Sequence, residues 1–288
     1  MAKLGVITDG ISREFEHALE VMSEFDLTQA ELQFLWDKEV GDLDDAQLAK
    51  AQSLLAQYKM EVPCISRHIF GGVGVGDTEV GDAVHTKHMD ALGRCIDMAK
   101  AVGCPIVRTM SFRKEMILFG DQGSEVWNVS NGAWDKLLTL MAPAVQLAED
   151  RDITIAVETG NNAMVTSCYL GRKLIDHFGS QRLKILWDPG NSFYCNEEAY
   201  PDGYESLRGG YLGHLHMKDV AADIPKAFVQ QRELGHGQMG SRLSDLADAM
   251  KADSYSGAIS LESVYRPIGG TFEDGFRASV SKFKEVFG

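Results

Sequence analysis

The feature that most constrains this chain is an alternation repeated along nearly its whole length. A short apolar run of strand character gives way to a longer amphipathic stretch, and the pair recurs. Strand-like runs are expected at Lys3–Thr8, near Glu31–Phe34, and at Val62–Ser66, Ile106–Ser111, Thr154–Glu158, Leu183–Asp188, Leu212–His216 and Ala258–Glu262. A helix is predicted from about Ser12, where Phe15, Ala18, Leu19 and Met22 fall at helical spacing. Leu48, Leu55 and Tyr58 mark another helix, and so do Met89, Leu92, Ile96 and Ala99. Trp134, Leu137, Met141, Val145 and Ala148 mark a fourth, and Phe276, Val280, Phe283 and Val286 the last. Eight strands, each followed by a helix, in 288 residues predict an α/β fold, a (β/α)8 TIM barrel close to its typical ~250 residues. An open doubly wound sheet is the other arrangement of such units, and eight of them strain it. No linker rich in Pro, Gly or Ser and no low-complexity segment breaks the pattern, so residues 1–288 are read as one domain.

Composition narrows the partners. The formal net charge is -14 and no Lys/Arg cluster stands out, which opposes nucleic acid as a partner. No apolar run approaches the ~20 residues of a membrane helix, so no membrane partner is expected. The N-terminal MAKLGVITDG enters a strand-like run at once and lacks a signal-peptide pattern. Cys64, Cys95, Cys104, Cys168 and Cys195 are odd in number and form no CxxC pair, which is read as reduced thiols in a cytoplasmic protein.

Chemistry enters at the ends of the strands. Glu158, Asp188, His216 and Glu262 close four successive apolar runs: IAVETGNN, ILWDPGNS, LGHLHMKD and AISLESVY. A charged or ligating side chain at a strand end serves a core badly and a site well. In a barrel of parallel strands these ends share one rim, where the loops build the active site. For either glutamate alone, a salt bridge to a neighbouring strand explains it equally well, because a buried carboxylate needs a partner. The four together favour a site. Three oxygen donors and one nitrogen suit one divalent ion of the Mn, Mg or Co kind better than a structural zinc.

Other residues join as candidates. His214 and His216 share a strand face; His216, nearer the rim, is the ligand candidate, and His214 is read as a packed neighbour. Lys218 has the same parity and is placed to reach substrate oxygens, or else is a solvated loop lysine. Asn191 lies three residues past Asp188 across a Pro-Gly turn and is expected to fold back towards the ion. His68, Arg108 and Arg266 also lie near predicted strand ends, the arginines suited to hydroxyl or phosphate oxygens. FGGVGVGD (Phe70 to Asp77) lacks the GK[ST] ending of a P-loop and is read as a flexible loop. Two long segments follow strands: Ser111 to Asn131, with Phe112, Met116, Phe119 and Trp127, and Lys218 to Ser241. Such rim loops form lids or subunit contacts, which leaves a homo-oligomer open, or they are irregular surface.

The set VETGNN, WDPGN, HLHMKD and SLES, in this order and spacing, resembles the sugar-phosphate isomerase/epimerase superfamily of xylose isomerase-like barrels. Ketose 3-epimerases and inosose isomerases or dehydratases belong to it. The resemblance covers nearly the whole chain. It implies that Glu158, Asp188, His216 and Glu262 hold one divalent metal, and that Glu158 and Glu262 double as acid/base groups flanking a carbohydrate. ELGHGQ (Glu233 to Gln238) departs from the family's frequent LGEG form, with His236 in place of the acid, which bears on substrate choice. The implied chemistry removes a proton beside a sugar carbonyl, with the metal stabilising the enediolate. Reprotonation on the other face gives an epimerase, reprotonation at the next carbon an isomerase, and loss of a leaving group a dehydratase or lyase. Two rival readings are weaker. An abasic-site endonuclease of the same superfamily needs a His-rich zinc cluster and a DNA-binding surface. A non-catalytic sugar-binding subunit has no need of both glutamates.

Overall fold

Short runs rich in Val, Ile and Leu pair into one parallel sheet in the computed structural model, which describes residues 2–114 and 132–288. Its strands are β1 (Lys3–Ile7), β2 (Gln29–Glu31), β3 (Ile65–Ile69), β4 (Ile106–Thr109), β5 (Thr154–Glu158), β6 (Leu183–Trp187), β7 (Leu212–Met217) and β8 (Ala258–Leu261). The hydrogen-bonded order is β2-β1-β8-β7-β6-β5-β4-β3. The two ends of the sheet meet beside β2 and β3. There the Ala30 N–H donates to the Glu61 carbonyl at 2.8 Å, and the Ser66 N–H to the Leu32 carbonyl at 2.8 Å. The chain thus adopts the (β/α)8 barrel that the alternation predicts.

Helices Phe15–Glu24, Asp45–Tyr58, Ala83–Val102, Gly132–Asp150, Cys168–Phe178, Leu243–Ala252 and Phe272–Phe287 lie outside the sheet and bury their apolar stripes against it. Leu137, Met141 and Val145 make one such stripe, and Phe276, Val280 and Phe283 another. Side chains set where several helices begin. Asp44 and Thr271 close capping boxes, and the Asp82 and Ser167 side chains accept a backbone N–H from the first turn. Among the described residues, no helix is long and apolar enough to cross a membrane.

Several boundaries differ from the sequence reading. The second strand ends at Glu31 instead of beginning there, and Phe34–Leu35 pairs with Lys38–Glu39 in a small hairpin. The third strand runs Ile65–Ile69 rather than Val62–Ser66; Pro63 lacks an N–H for the ladder, and before it only an isolated bridge joins Glu61 to Gln29. His68 therefore sits within β3 instead of after it. The first α-helix starts at Phe15. After β6 only short helices form, Pro189–Tyr194 and Tyr204–Leu207. Pro201 lies within a further short helical segment, Ala199–Gly203, and Gly209 and Gly210, both with positive φ, follow the Tyr204–Leu207 helix. The segment from Lys218 to Ser241 is ordered by an antiparallel hairpin, Asp219–Asp223 with Phe228–Arg232. Met116, Phe119 and Trp127 lie outside the described residues.

Alternation along each strand sends one set of side chains outward to the helices and the other into the barrel. The outward set is apolar: Val6, Val107, Ile155, Ile185, Leu215 and Ile259 are all fully buried in the main core. The inward set mixes a small apolar cluster of Cys64, Ala156 and Leu186 with a polar network, in which Glu31 of β2 contacts Ser66 of β3 and also His214 and His216 of β7. Since β2 and β7 are not neighbours in the sheet, these contacts cross the barrel interior.

Gly5 sits where β1 passes closest to β2. A Cβ there would land on the Gln29 carbonyl oxygen and come 2.5 Å from the Gln29 Cβ. Strand backbone cannot give way locally, so Gly5→Ala is expected to destabilise the barrel by about 1–3 kcal/mol, the usual range for overpacking. A urea titration followed by circular dichroism checks this, and a midpoint equal to the parent's would contradict the packing.

Candidate active site

The rim brings together the four strand-end residues. Glu158, Asp188, His216 and Glu262 each offer a ligand atom, and those atoms all lie within 4.8 Å of one another. Asp188 and His216 are fully buried, while the Glu262 side chain keeps 18% of its exposure and marks the open side.

Beneath them lies a carboxylate that the sequence reading left without a role. Glu31 is fully buried, and its two oxygens are both engaged. Oε1 accepts from His216 Nε2 at 2.8 Å and from the Ser66 hydroxyl. Oε2 accepts from His214 Nε2 at 2.7 Å, and Ser260 Oγ also approaches that nitrogen at 3.2 Å. Burial opposes the ionised form of Glu31, but the neighbouring His216 and His214 outweigh it and hold the carboxyl well below the usual range. With Nε2 of His216 donating to Glu31, the other ring nitrogen is fixed as the free one. His216 Nδ1 is buried, has no hydrogen-bond partner, and lies 3.8 Å from Glu158 Oε1.

Two cations balance the rim carboxylates. Arg108, fully buried on β4, donates from one terminal nitrogen to Glu158 Oε2 at 3.0 Å and from the other to the Ser66 carbonyl at 2.6 Å. Lys218 Nζ lies 2.5 Å from Asp188 Oδ2 and 2.7 Å from Glu262 Oε2. The Asp188 contact is an ion pair without hydrogen-bond alignment, so Oδ2 stays unsatisfied as a hydrogen-bond acceptor. The stem of Lys218 crosses Gly190, where a Cβ would come 2.7 Å from Lys218 Cγ; only glycine lets the lysine reach across. Burial and the charge of Glu262 push Asp188 up to about 8 against the pull of Lys218. Burial also works against Glu262, but the Lys218 ammonium and the contact with Asp188 hold it well below the ordinary carboxylate range. His216 is pushed up to about 10, Glu31 and Glu158 outweighing its burial.

The remaining candidates divide. His68 lies against Arg108, 3.3 Å from its guanidinium, whose charge together with burial lowers the imidazole to about 4 and leaves it neutral at neutral pH. Asn191 Nδ2 donates to the Thr159 carbonyl at 2.8 Å, one residue beyond Glu158, and ties the loop after β6 to that after β5. Arg266 is exposed and stacks over the Phe272 ring at 5.5 Å. His236 is exposed too, its nearest charged partner being Glu233 at 3.6 Å.

The donor set fits a divalent cation. Among the described residues, Glu31, Glu158, Asp188 and Glu262 face only Arg108 and Lys218 as permanent cations, and His216 and Asp188 are accordingly pushed towards their protonated forms. A dication beside a neutral His216 would supply that charge instead, and the unpartnered Nδ1 faces where it is needed. Oxygen-rich donors with one imidazole suit a hard or borderline ion.

Glu31 closes a strand as the rim residues do, but the residues before it, Leu27-Thr28-Gln29-Ala30, are half polar and give a weaker signal. Placing the strand two residues late turned that end into a beginning and hid the signal. Asp219 was also overlooked, though it belongs to HLHMKD. Its carboxylate accepts four backbone N–H groups, from Val220 and Met239 at 2.8 Å and from Gly235 and Gly237 at 2.9 Å, and it pins the following loop.

A barrel of parallel strands with a carboxylate-histidine cluster on its rim defines the class. The family model of the xylose isomerase-like TIM barrel matches residues 18–286, and the chain belongs to that family. Comparison with curated proteins gives no significant match. Among solved structures, an L-ribulose 3-epimerase superposes with a TM-score of 0.71 at 17% identity, covering 100% of this chain and 95% of the other. The probable 3-DHS dehydratase AsbF from Bacillus anthracis gives 0.72 at 14%, covering 99% of each chain. The IOLI protein, solved with a zinc atom, gives 0.69 at 16%, covering 99% of this chain and 98% of the other. At such identities the likeness carries the fold, and the reactions named differ among the neighbours.

If Glu31 sets the orientation of His216, Glu31→Gln should weaken Mn2+ binding by about 10- to 100-fold, the usual effect of losing such a supporting carboxylate. Calorimetric titration with Mn2+ measures it, with circular dichroism as the control for folding. Unchanged affinity in a folded variant would show that His216 needs no such support.

Proposed function

We propose that this chain is a metal-dependent sugar isomerase or epimerase that moves a proton at a carbon next to a carbonyl. Residues 1–288 act as one domain, and the five free cysteines suit work in the cytoplasm. The observation that carries the reading is the convergence of Glu158, Asp188, His216 and Glu262, whose ligand atoms lie within 4.8 Å of one another, with the unpartnered His216 Nδ1 3.8 Å from Glu158. Glu158, Asp188, His216 and Glu262 would hold one divalent ion, of the Mn, Mg or Co kind. When bound, such an ion stabilises negative charge developing on the substrate oxygens beside the reacting carbon.

The remaining roles belong to the chain. Glu158 and Glu262 flank the substrate; one accepts the proton from carbon and the other returns it. Arg108 positions Glu158 through their 3.0 Å contact and favours its ionised form, although burial opposes ionisation. Lys218 does the same for Glu262 and offers its ammonium to a substrate oxygen. His68, neutral beside Arg108, is placed to bond a sugar hydroxyl. Asn191 holds the loops after β5 and β6 together, which keeps Glu158 and Asp188 in register. A second reading, dehydration of a keto-sugar or keto-inositol, draws support from the likeness to a probable dehydratase and uses the same proton abstraction. The two differ in product: the dehydratase releases water and forms a conjugated, ultraviolet-absorbing carbonyl.

Replacing Glu158 or Glu262 by Gln keeps an oxygen donor and removes the proton acceptor. Each variant is expected to retain ketose binding while turnover falls by about 100-fold or more. Reaction in D2O should place deuterium at the reacting carbon of the product. Full activity in both variants, or conversion with no deuterium uptake, would rule out proton transfer by this pair.

A further inference from the structure

Two polar side chains beside the carboxylate cluster are only half used. Tyr194 ends the short helix Pro189–Tyr194, whose N-cap is Asp188. Gln231 lies on the returning strand of the hairpin that begins one residue after Lys218. The Gln231 Nε2 donates to Tyr194 Oη at 3.1 Å. The other amide atom, Oε1, is buried and has no hydrogen-bond partner among the described residues. Tyr194 accepts that bond, so its own O–H remains to donate. The pair therefore presents one acceptor and one donor side by side, the complement of an alcohol, which both donates and accepts. A buried acceptor without a partner costs about 1–3 kcal/mol, a penalty that a ligand hydroxyl would remove.

The position fits such a ligand. The Tyr194 phenol is within electrostatic reach of Lys218, Asp188 and Glu262, and burial raises its pKa, so it stays neutral. Gln231 is not on a free loop, because its hairpin is pinned by the four N–H groups that Asp219 accepts. At Gly237 a Cβ would run into that carboxylate, so the pinned approach requires glycine.

Charge narrows the ligand further. The buried cations of the site are already engaged, Arg108 with Glu158 and Lys218 with Asp188 and Glu262. His68 is neutral. The charge of each cation is already offset by carboxylates, even where Lys218 donates to a substrate oxygen, so a phosphate or carboxylate on the ligand would meet the rim carboxylates with no uncompensated charge among these cations.

We propose that Tyr194 and Gln231 together bind one hydroxyl of a neutral polyhydroxylated substrate, away from the reacting carbon, and that the site selects free sugars over phosphorylated ones. This rests on the sugar-processing reading above. Calorimetric titration of the Mn2+-loaded full chain with D-fructose, D-allulose and L-ribulose, and with phosphate esters of the same sugars, tests it. At least one free ketose should bind, and its phosphate ester should bind at least about tenfold more weakly, as like charges brought together are strongly unfavourable. Tyr194→Phe and Gln231→Leu should each weaken binding of the free ketose by about 5- to 100-fold. The double variant should bind little worse than the weaker single one, because both contact the same hydroxyl. Unaltered Mn2+ affinity and circular dichroism confirm that the variants are intact. Binding of no free ketose, equal or tighter binding of the esters, or intact variants with parental affinity would each overturn the proposal. A parent that binds a free ketose but exchanges no deuterium keeps this hydroxyl site and loses the proton-transfer chemistry instead.

Discussion

The interaction on which this site depends is the Glu31 carboxylate buried inside the barrel. It has no exposure to water, and ionisation there is sustained only by the groups it touches. Those groups come from β3 and β7, so one side chain on β2 fixes the relative depth of three strands and the orientation of both histidines. Because His216 must give Nε2 to Glu31, its Nδ1 is the atom turned to the rim. A satisfied polar network of this kind is rigid, since any member that moves leaves another unpaired in a low-dielectric interior.

Above that network the charges are arranged by partner. Arg108 approaches from β4 to Glu158, and Lys218 from the end of β7 to Asp188 and Glu262. This divides the carboxylates into unequal environments: Glu262 is held ionised and Asp188 is pushed towards its protonated form. Groups separated in this way are suited to different tasks within one small volume. The apolar faces of the strands and helices carry none of this chemistry; they hold the frame in which the polar interior can be built.

Much of this was legible in the sequence, for identifiable reasons. The eightfold alternation follows from packing helices on a parallel sheet, and it survives small errors in each boundary. The four rim residues were readable because a charged side chain closing an apolar run has few structural uses. Glu31 closes a strand too, but the half-polar Leu27-Thr28-Gln29-Ala30 before it is no apolar run, and QAELQF offers no punctuation, so the strand could be slid by two residues. His68 was displaced for a related reason, Pro63 delaying the start of β3. Asn191 and Arg266 show a different limit. Their positions near strand ends were right, but Asn191 is drawn to the Thr159 carbonyl and Arg266 to the Phe272 ring, choices made by loop geometry that spacing does not encode. The pairing of Gln231 with Tyr194 depends on the hairpin register, which only the folded chain defines.

The account is tested most directly by locating a bound ion. Crystals of the chain soaked in Mn2+, with anomalous differences recorded near the manganese edge, would show where the ion sits and which atoms hold it. A single peak bounded by Glu158, Asp188, Glu262 and the Nδ1 of His216, with Nε2 still bonded to Glu31, is the predicted result. A peak between Glu31 and His214, coordination through His216 Nε2, or no peak with Lys218 still bridging Asp188 and Glu262 would contradict it.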